Sequence, residues 1–289
     1  MASLKEVKLR IQSVKSTRKI TSAMKMVASS KLHHAQQRIE NLRPYAQTIA
    51  KISSCLNATL NEDYKMPFHQ SREVRRVAIV VFTSNSSLCG GFNSNVVKEL
   101  KYQLTCFANQ NIQVVKVYAF GKKGFEACHK LNLSAVEDHC TLIEHPSYDS
   151  SRQISTEIMN LYNAKEIDAC YLLYHRFKSS ATQILTTEQY LPIKHEVNTA
   201  SERDQSDFYI IEPSTSEIIQ QLFPKVLSLQ LHAALLESIA SEHAARIIAM
   251  QVATDNADDL LSQLQLQYNK GRQAAITAEL LDIVGGSMA

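Results

Sequence analysis

Residues 86–93, with the sequence Ser-Ser-Leu-Cys-Gly-Gly-Phe-Asn, are the first candidate for chemistry in this chain. They follow an apolar run, 74–82, and precede an amphipathic pattern, 95–110, so they should join a strand to a helix. Backbone amides at such turns often bind phosphate. The segment has neither a GxGxxG fingerprint nor the Lys-Ser/Thr end of a P-loop. The sequence therefore favours a structural turn over a nucleotide site, and it predicts no cofactor.

The other residue types that could do chemistry lack the spacing that chemistry needs. The turn at 121–124, Gly-Lys-Lys-Gly, could meet an anion, but a solvated turn explains it as well and is preferred. Cys89 has no sequence signature that places a base beside it. The histidines form no HExxH motif, and the six cysteines form no CxxC pair. We therefore predict no catalytic residue and no metal ligand, and the chain gives no positive evidence of catalysis.

The charge of the chain is uneven. Its formal net charge is only +3, and 45% of its 289 residues are hydrophobic, which suits a globular protein. The first 38 residues, however, carry a single acidic residue, Glu6, against Lys5, Lys8, Arg10, Lys15, Arg18, Lys19, Lys25, Lys31 and Arg38. A nucleic acid or an anionic membrane could bind such a stripe, but few aromatic residues interleave the charges. A solvated helix face and a docking face for acidic protein loops remain equally open.

The two ends of the chain have the periodicity of a coiled coil. Apolar residues recur at steps of three and four at Leu4, Val7, Ile11 and Val14, and again from Ala28 onward. The same period runs from Leu222 to Tyr268, within a predicted helix that spans about 216–284 and is about 100 Å long. Each stripe needs a partner, so the two ends should form an antiparallel, left-handed coiled coil.

The N-terminal stripe is interrupted. Its interface positions are then Arg18, Thr21 and Lys25, while a second apolar line, rotated around the helix, comprises Ile20, Met24 and Val27. This interruption indicates that the helix contacts more than one neighbour.

The middle of the chain has the alternating pattern of an α/β domain. Strands are predicted at 74–82, 112–120 and 167–177, with weaker ones at 183–191 and 208–212, and helices at 95–110, 122–130 and 152–165. Residues 144–151 are predicted to be a polar linker. The fold class is thus α/β: a coiled-coil helix at 1–60, a central Rossmann-like domain with a parallel sheet at 70–213, and a second coiled-coil helix at 214–289.

Three stretches of the sequence resemble the gamma subunit family of bacterial-type rotary ATP synthases. They are the opening segment 3–32, including Arg-Lys-Ile-Thr-Ser-Ala-Met-Lys-Met-Val-Ala at 18–28, the loop Leu-Cys-Gly-Gly-Phe-Asn at 88–93, and the C-terminal segments 249–257 and 268–280. The layout agrees with that family over essentially the full length. Periodicity alone predicts only a long coiled coil on an α/β domain, and the function comes from the resemblance.

The resemblance implies a mechanical function, for a non-catalytic subunit that is not itself an enzyme. In this family the coiled coil is a rotor shaft inside a ring of alternating catalytic (beta) and non-catalytic (alpha) subunits, and it also binds an epsilon subunit and the membrane rotor ring. By similarity, Met24, Lys25 and Arg246 should lie near an acidic loop of a catalytic subunit, and Arg272 and Gln273 should contact a catalytic subunit further along the shaft. No nucleic-acid partner is implied. The alternative is a stand-alone α/β nucleotide-binding protein with coiled-coil arms.

The resemblance also implies a location and one local weakness. The protein should be peripheral, at the cytoplasmic face of a bacterial inner membrane, and held there only through its complex. The absence of a transit-like N-terminus favours a bacterial protein over an organellar precursor. Gly271 stands where the family usually has a helix former, which should cost about 1 kcal/mol of helix propensity near the shaft tip.

Overall fold

The computed structural model describes residues 3–59, 68, 72–133, 136–193, 212 and 214–287. In chain order its helices and strands are α1 (Leu4–Thr59), β1 (Arg76–Phe82), α2 (Phe92–Asn109), β2 (Gln113–Phe120), α3 (Lys122–Lys130), β3 (Val136–Asp138), α4 (Thr141–Glu144), α5 (Tyr148–Asn163), β4 (Ala169–Phe177), β5 (Gln183–Leu191) and α6 (Thr215–Ser287). The two long terminal helices and the α/β alternation between them confirm the predicted fold class.

The sheet has five strands in the order β3-β2-β1-β4-β5. The pairs β1–β2, β1–β4 and β2–β3 are parallel, and β5 pairs antiparallel with β4. Central strand β1 has six consecutive buried residues, as expected for a parallel strand that is covered on both faces. On one face, Val77, Ile79 and Val81 pack against α2 in a core that also contains Val96, Leu100, Phe107 and Val117.

The remaining differences from the sequence prediction are local. Helix α5 begins at Tyr148, inside the segment that we predicted to be a linker. Asp149 supplies a favourable charge in its first turn, and the Ser151 hydroxyl donates to the carbonyl oxygen of Ser147. Strand β3 and helix α4 are too short to give a periodic pattern, and we did not predict them. The strand predicted at 208–212 lies outside the described residues, apart from Glu212.

The chain forms two compact units. The first comprises residues 1–30 and 246–289, and the second comprises residues 31–245. The three-part division into 1–60, 70–213 and 214–289 matches the order of the elements, and as a division into domains it stays a prediction.

Candidate docking surface on the paired terminal helices

Within the first unit, α1 and α6 run antiparallel. Contacts join Arg18 to Asp258, Thr21 to Thr254 and Lys25 to Gln251, so the residue numbers fall on α6 as they rise on α1. The apolar stripes face each other as predicted, with Val7 and Ala28 of α1 and Met250, Ala257, Leu261 and Leu264 of α6 all buried. The antiparallel pairing of the helices is thereby confirmed.

The interruption of the α1 stripe is matched by polar partners on α6. Arg18 Nη1 donates to Asp258 Oδ1 at 2.8 Å, and the hydroxyls of Thr21 and Thr254 lie 2.8 Å apart. Lys25 Nζ donates to the side-chain oxygen of Gln251. The three polar residues of α1 therefore face its partner helix. Since Arg18 and Asp258 are each about half exposed, this ion pair contributes at most about 1 kcal/mol, and it acts mainly on register.

Two residues of the second apolar line of α1, Ile20 and Val27, are consequently turned outward. Ile20 is 59% exposed and Val27 57%, and the neighbouring Met26 is 66% exposed. On α6, Ile248 and Val252 are also exposed. Scattered exposed apolar residues need no explanation, but several on one short stretch of paired helix mark a contact surface.

Cations extend along the same part of α1. Lys5, Lys8, Arg10, Lys15, Arg18 and Lys19 are all exposed. Arg18 is held by Asp258, and no ion pair within the described residues engages the other five. This face therefore has a positive potential that an acidic partner would complement.

The predicted contact residues fall into two groups along the helix pair. Met24 and Lys25 are half-buried, and the register sets Arg246 about 7 Å along the helix axis from the level of Lys25. Arg246 is only 7% exposed. Arg272 and Gln273 are exposed on α6, level with the start of α1, and about 30 Å along the helix from Gln251. Arg246 is thus five residues along α6 from Gln251, the partner of Lys25, and Arg272 and Gln273 form a separate pair.

Gly271 lies where the two helices approach closely. A Cβ atom at this position would stand 3.1 Å from Leu4 Cδ2, tighter than an ordinary van der Waals contact. Helix α6 continues through this residue. The glycine therefore has a packing reason as well as a cost in helix propensity.

The 86–93 loop of the second unit is held in place by the side chain of Asn93. Asn93 accepts a hydrogen bond from Ser84 N at 3.0 Å and donates to Ser84 Oγ at 2.7 Å and to Cys89 Sγ at 3.2 Å. Phe92 N donates to Cys89 O, and Asn95 N donates to Gly91 O. These bonds hold the segment in a fixed turn and occupy the amide of Phe92, which supports the structural interpretation of this loop.

The 121–124 turn is also built for close packing. Gly121 has a φ of 106°, and a Cβ atom there would lie 2.2 Å from the carbonyl oxygen of Thr83. Gly124 N donates to Thr83 Oγ1 at 2.7 Å, and Lys123 pairs with Glu126. These contacts join β1 to α3, and the two glycines are required by the approach of Thr83.

Three cysteine thiols of the second unit are held in the protonated form by their surroundings. Burial raises the pKa of the Cys128 thiol to about 11, and burial together with Asp138 raises the pKa of Cys140 to about 12. Burial also raises the pKa of Cys170. These thiols are therefore protonated near neutral pH and poor nucleophiles. Within the described ranges, no three His, Cys, Asp or Glu side chains gather closely enough to hold a metal ion.

The fold and the surface together define a class of protein: an α/β domain whose terminal helices form an antiparallel pair with an asymmetric, cationic and apolar exterior. A protein-family model described as ATP synthase matches residues 3–289. The chain is 50% identical to the ATP synthase gamma chain of Bacteroides thetaiotaomicron over 299 residues, covering 100% of both chains. It is 51% identical to the ATP synthase gamma chain of Bacteroides fragilis over 292 residues, again covering 100% of both. The chain belongs to the ATP synthase gamma-chain family.

Solved structures agree on the fold. A chain of the Euglena gracilis mitochondrial ATP synthase in an OSCP/F1/c-ring structure superposes with a TM-score of 0.65 at 19% identity, covering 99% of this chain and 93% of that one. A chain in a rotor structure of the same enzyme gives 0.63 at 18% identity, covering 94% and 98%. None of the described helices has the length and apolar character needed to cross a membrane.

Sequence reasoning missed the partners of the polar interruption. Asp258, Thr254 and Gln251 are spaced by three and four residues on α6, opposite Arg18, Thr21 and Lys25. Both segments contain polar residues at matching spacings, but their pairing can be assigned only once the antiparallel register is known.

Proposed function

We propose that this chain is the central rotor shaft of a proton-driven ATP synthase. It would couple rotation of the membrane rotor to conformational change at the catalytic sites of a surrounding ring. Full-length similarity to ATP synthase gamma chains carries the proposal. The outward apolar line at Ile20 and Val27, beside the cationic face of α1, supplies the asymmetric exterior that the function needs.

The asymmetry matters because a shaft can bias three equivalent sites differently only if its contacts differ between them. A helix pair with an identical exterior on all sides would contact each site alike and would do no work on any of them. In this proposal the subunit is non-catalytic, and the chemistry belongs to the ring.

The proposed partners are the alpha and beta subunits of the ring, an epsilon subunit and the membrane rotor ring. Met24 and Lys25, with Arg246 nearby, would meet an acidic loop of a catalytic subunit. Arg272 and Gln273 would form a second contact with a catalytic subunit, where the Arg272 guanidinium can hold a carboxylate bidentately. Membrane association would be peripheral, at the cytoplasmic face of the bacterial inner membrane, and only through the complex.

Co-purification tests the function. A tagged chain should come out of its own cells as one copy held with a ring of ATP-hydrolysing subunits, and native mass spectrometry would give the stoichiometry. Recovery of a free chain, or of a chain bound to nucleic acid, would contradict the proposal and return attention to the α/β domain.

The Arg272 and Gln273 contact has its own test. The double variant Arg272→Glu/Gln273→Ala should weaken assembly or lower coupled ATP synthesis several-fold, because it places a negative charge where a carboxylate is expected. A matched control is Lys101→Glu/Gln110→Ala, which also reverses one cationic charge and truncates one glutamine, at exposed positions in the middle of α2 and just beyond its end. Parental assembly and coupled turnover in the first variant would contradict the contact.

A further inference from the structure

A groove runs along the seam between α5 and α6 in the second unit. Ser151 Oγ lies 3.0 Å from His232 Nδ1, and Ser155 Oγ lies 3.2 Å from Ser228 Oγ, so residue numbers rise on α5 as they fall on α6 and the two helices are antiparallel. The groove has a volume of about 440 Å³, which is within the range of small-molecule sites.

The rim of the groove carries hydrogen-bond donors on both helices. Arg152, Asn160 and Asn163 line it on α5, and Gln221 and Lys225 line it on α6. All five side chains are exposed. In the part of the chain that the structure describes, no ion pair and no side-chain hydrogen bond engages any of them. Two cations and three amides therefore surround one groove with their donors available.

Carboxylates are turned away from this groove. Rows of residues that flank a helix–helix seam often pair Glu with Lys. Here Glu157, the acidic residue of α5 within this stretch, instead binds Lys116 and Tyr118 of the sheet. Asp149 and Glu217, beyond the two ends of the groove, do not line it. The positive charge of the rim is thus not neutralised from within, and it favours an anion.

The floor of the groove is partly apolar. Met159 and Pro224 line it. Each lies four residues beyond its member of the Ser155–Ser228 pair, so the antiparallel register sets them at the same level. Met159 is 4% exposed. An apolar floor below a few polar groups is typical of sites that bind organic ligands, so the groove suits an anion with an organic part.

The cationic side chains lie at two places along the groove. Lys225 is next to Pro224, and its side chain should lean toward the N-terminal end of α6, which is the direction of Asn160 and Asn163. Arg152 lies six residues from the level of Lys225, about 9 Å along the helix. Arginine can hold a phosphate bidentately, and lysine binds one as a point charge. The separation suits two phosphate groups on one ligand.

We propose that the groove between α5 and α6 binds an organic bisphosphate, with one phosphate on Lys225, Asn160 and Asn163 and the other on Arg152. The linker between the phosphates lies over Met159 and Pro224. The groove is formed within the second unit, so the inference stands apart from the proposed rotor function. A soluble bisphosphate and the two-phosphate headgroup of cardiolipin share this chemistry.

The first assay is isothermal titration calorimetry of the purified full chain with fructose 1,6-bisphosphate and, separately, with inorganic phosphate. The groove variant is Arg152→Gln/Lys225→Gln. The control variant is Lys98→Gln/Lys101→Gln, which removes two exposed cations of α2 and leaves the same net charge. For a soluble ligand, the parent and the control should bind the bisphosphate alike, and the groove variant should bind it about tenfold more weakly or worse. The single variants Arg152→Gln and Lys225→Gln should each show part of this loss.

The second assay is flotation of the same proteins with phosphatidylcholine vesicles that contain or lack cardiolipin. The exposed cations of α1 attract any anionic surface, and they are present in all the proteins compared. For a lipid ligand, cardiolipin vesicles should capture the parent and the control several-fold more than the groove variant. The proposal is overturned if neither assay separates the groove variant from the control, or if inorganic phosphate binds as tightly as fructose 1,6-bisphosphate.

Discussion

His175 should make the second unit sensitive to mild acid. This residue of β4 is 4% exposed and stacks on Phe92, with ring centroids 4.4 Å apart. Its Nδ1 atom has no hydrogen-bond partner among the described residues. Burial lowers the pKa of His175 from 6.5 to about 4, so the folded protein holds the ring neutral over most of the acid range.

The sign and size of the effect follow from proton linkage. As pH falls below 6.5, the unfolded chain takes up a proton that the folded chain cannot, so the free energy of unfolding falls with pH. Stability that is fully present above about pH 6.5 is lost progressively until about pH 4. One pH unit is worth about 1.4 kcal/mol, which gives a total loss of about 3 kcal/mol, of which about 2 kcal/mol is lost by pH 5.

The assay is urea unfolding at pH 7 and pH 5, followed by near-ultraviolet circular dichroism. The chain has no Trp, and the buried tyrosines Tyr118, Tyr162 and Tyr190 lie in the same unit as His175. The variant His175→Leu removes the ring and keeps a side chain of similar volume. Between pH 7 and pH 5 the free energy of unfolding of this variant should fall by about 2 kcal/mol less than that of the parent. The variant His33→Leu, at an exposed histidine, should show the same fall as the parent.

Other groups titrate in the same range, and the comparison between variants cancels them. Burial also lowers the pKa of His232, with Arg38 contributing, and this acts in the same direction as His175. Burial raises the pKa of Glu237, which acts in the opposite direction. An equal loss of stability in the parent and in His175→Leu would refute the assignment to His175.

The remaining predictions concern glycines. Gly121→Ala should destabilise the second unit by about 3 kcal/mol or more in urea unfolding, since it adds a Cβ atom 2.2 Å from Thr83 O at a positive φ. In Gly91→Ala the added Cβ atom meets only Asn95, at 3.4 Å, so the free energy of unfolding should change by no more than about 0.5 kcal/mol. Equal destabilisation by the two variants would contradict the packing argument. Gly271→Ala should slow hydrogen exchange around residue 271 by stabilising α6 by up to about 1 kcal/mol, less the adjustment of Leu4. Gly286→Ala is the control without a packing contact, since a Cβ atom there has no neighbouring atom within 4 Å. Faster hydrogen exchange in Gly271→Ala than in the parent would show that the clash with Leu4 outweighs the gain in helix propensity.

The sequence predicted best the elements in which a pattern of apolar residues repeats many times. The stripes of α1 and α6 repeat often enough to specify both helices and their mutual burial. The apolar run of β1 and the helix-strand alternation after it specify a parallel sheet. Helix α3 was predicted with its observed bounds, because Gly121 and the end of a strand mark its start.

The parts that sequence missed depend on a partner distant in the chain. The local sequence around Ser151 predicts a polar linker. In the structure its Oγ lies 3.0 Å from Nδ1 of His232, which is eighty-one residues later in the chain. A serine is unfavourable in a buried helix without a partner, so local pattern argues against the structure that forms. The same holds for Thr21, whose partner Thr254 supplies the hydroxyl that makes its burial acceptable.

The polar interruption of α1 also explains why an apolar line faces outward. Two lines compete for the interface: Ile20, Met24 and Val27, or Arg18, Thr21 and Lys25. Threonines opposite each other allow the helix axes to approach closely, and α6 offers Asp258 and Gln251 to the two flanking cations. With the polar line satisfied inside, the bulkier apolar line remains outside on one side of the pair. A regular heptad would have placed apolar residues at positions 18, 21 and 25 and polar residues outside, so the interruption produces the asymmetry that a shaft acting on several sites requires.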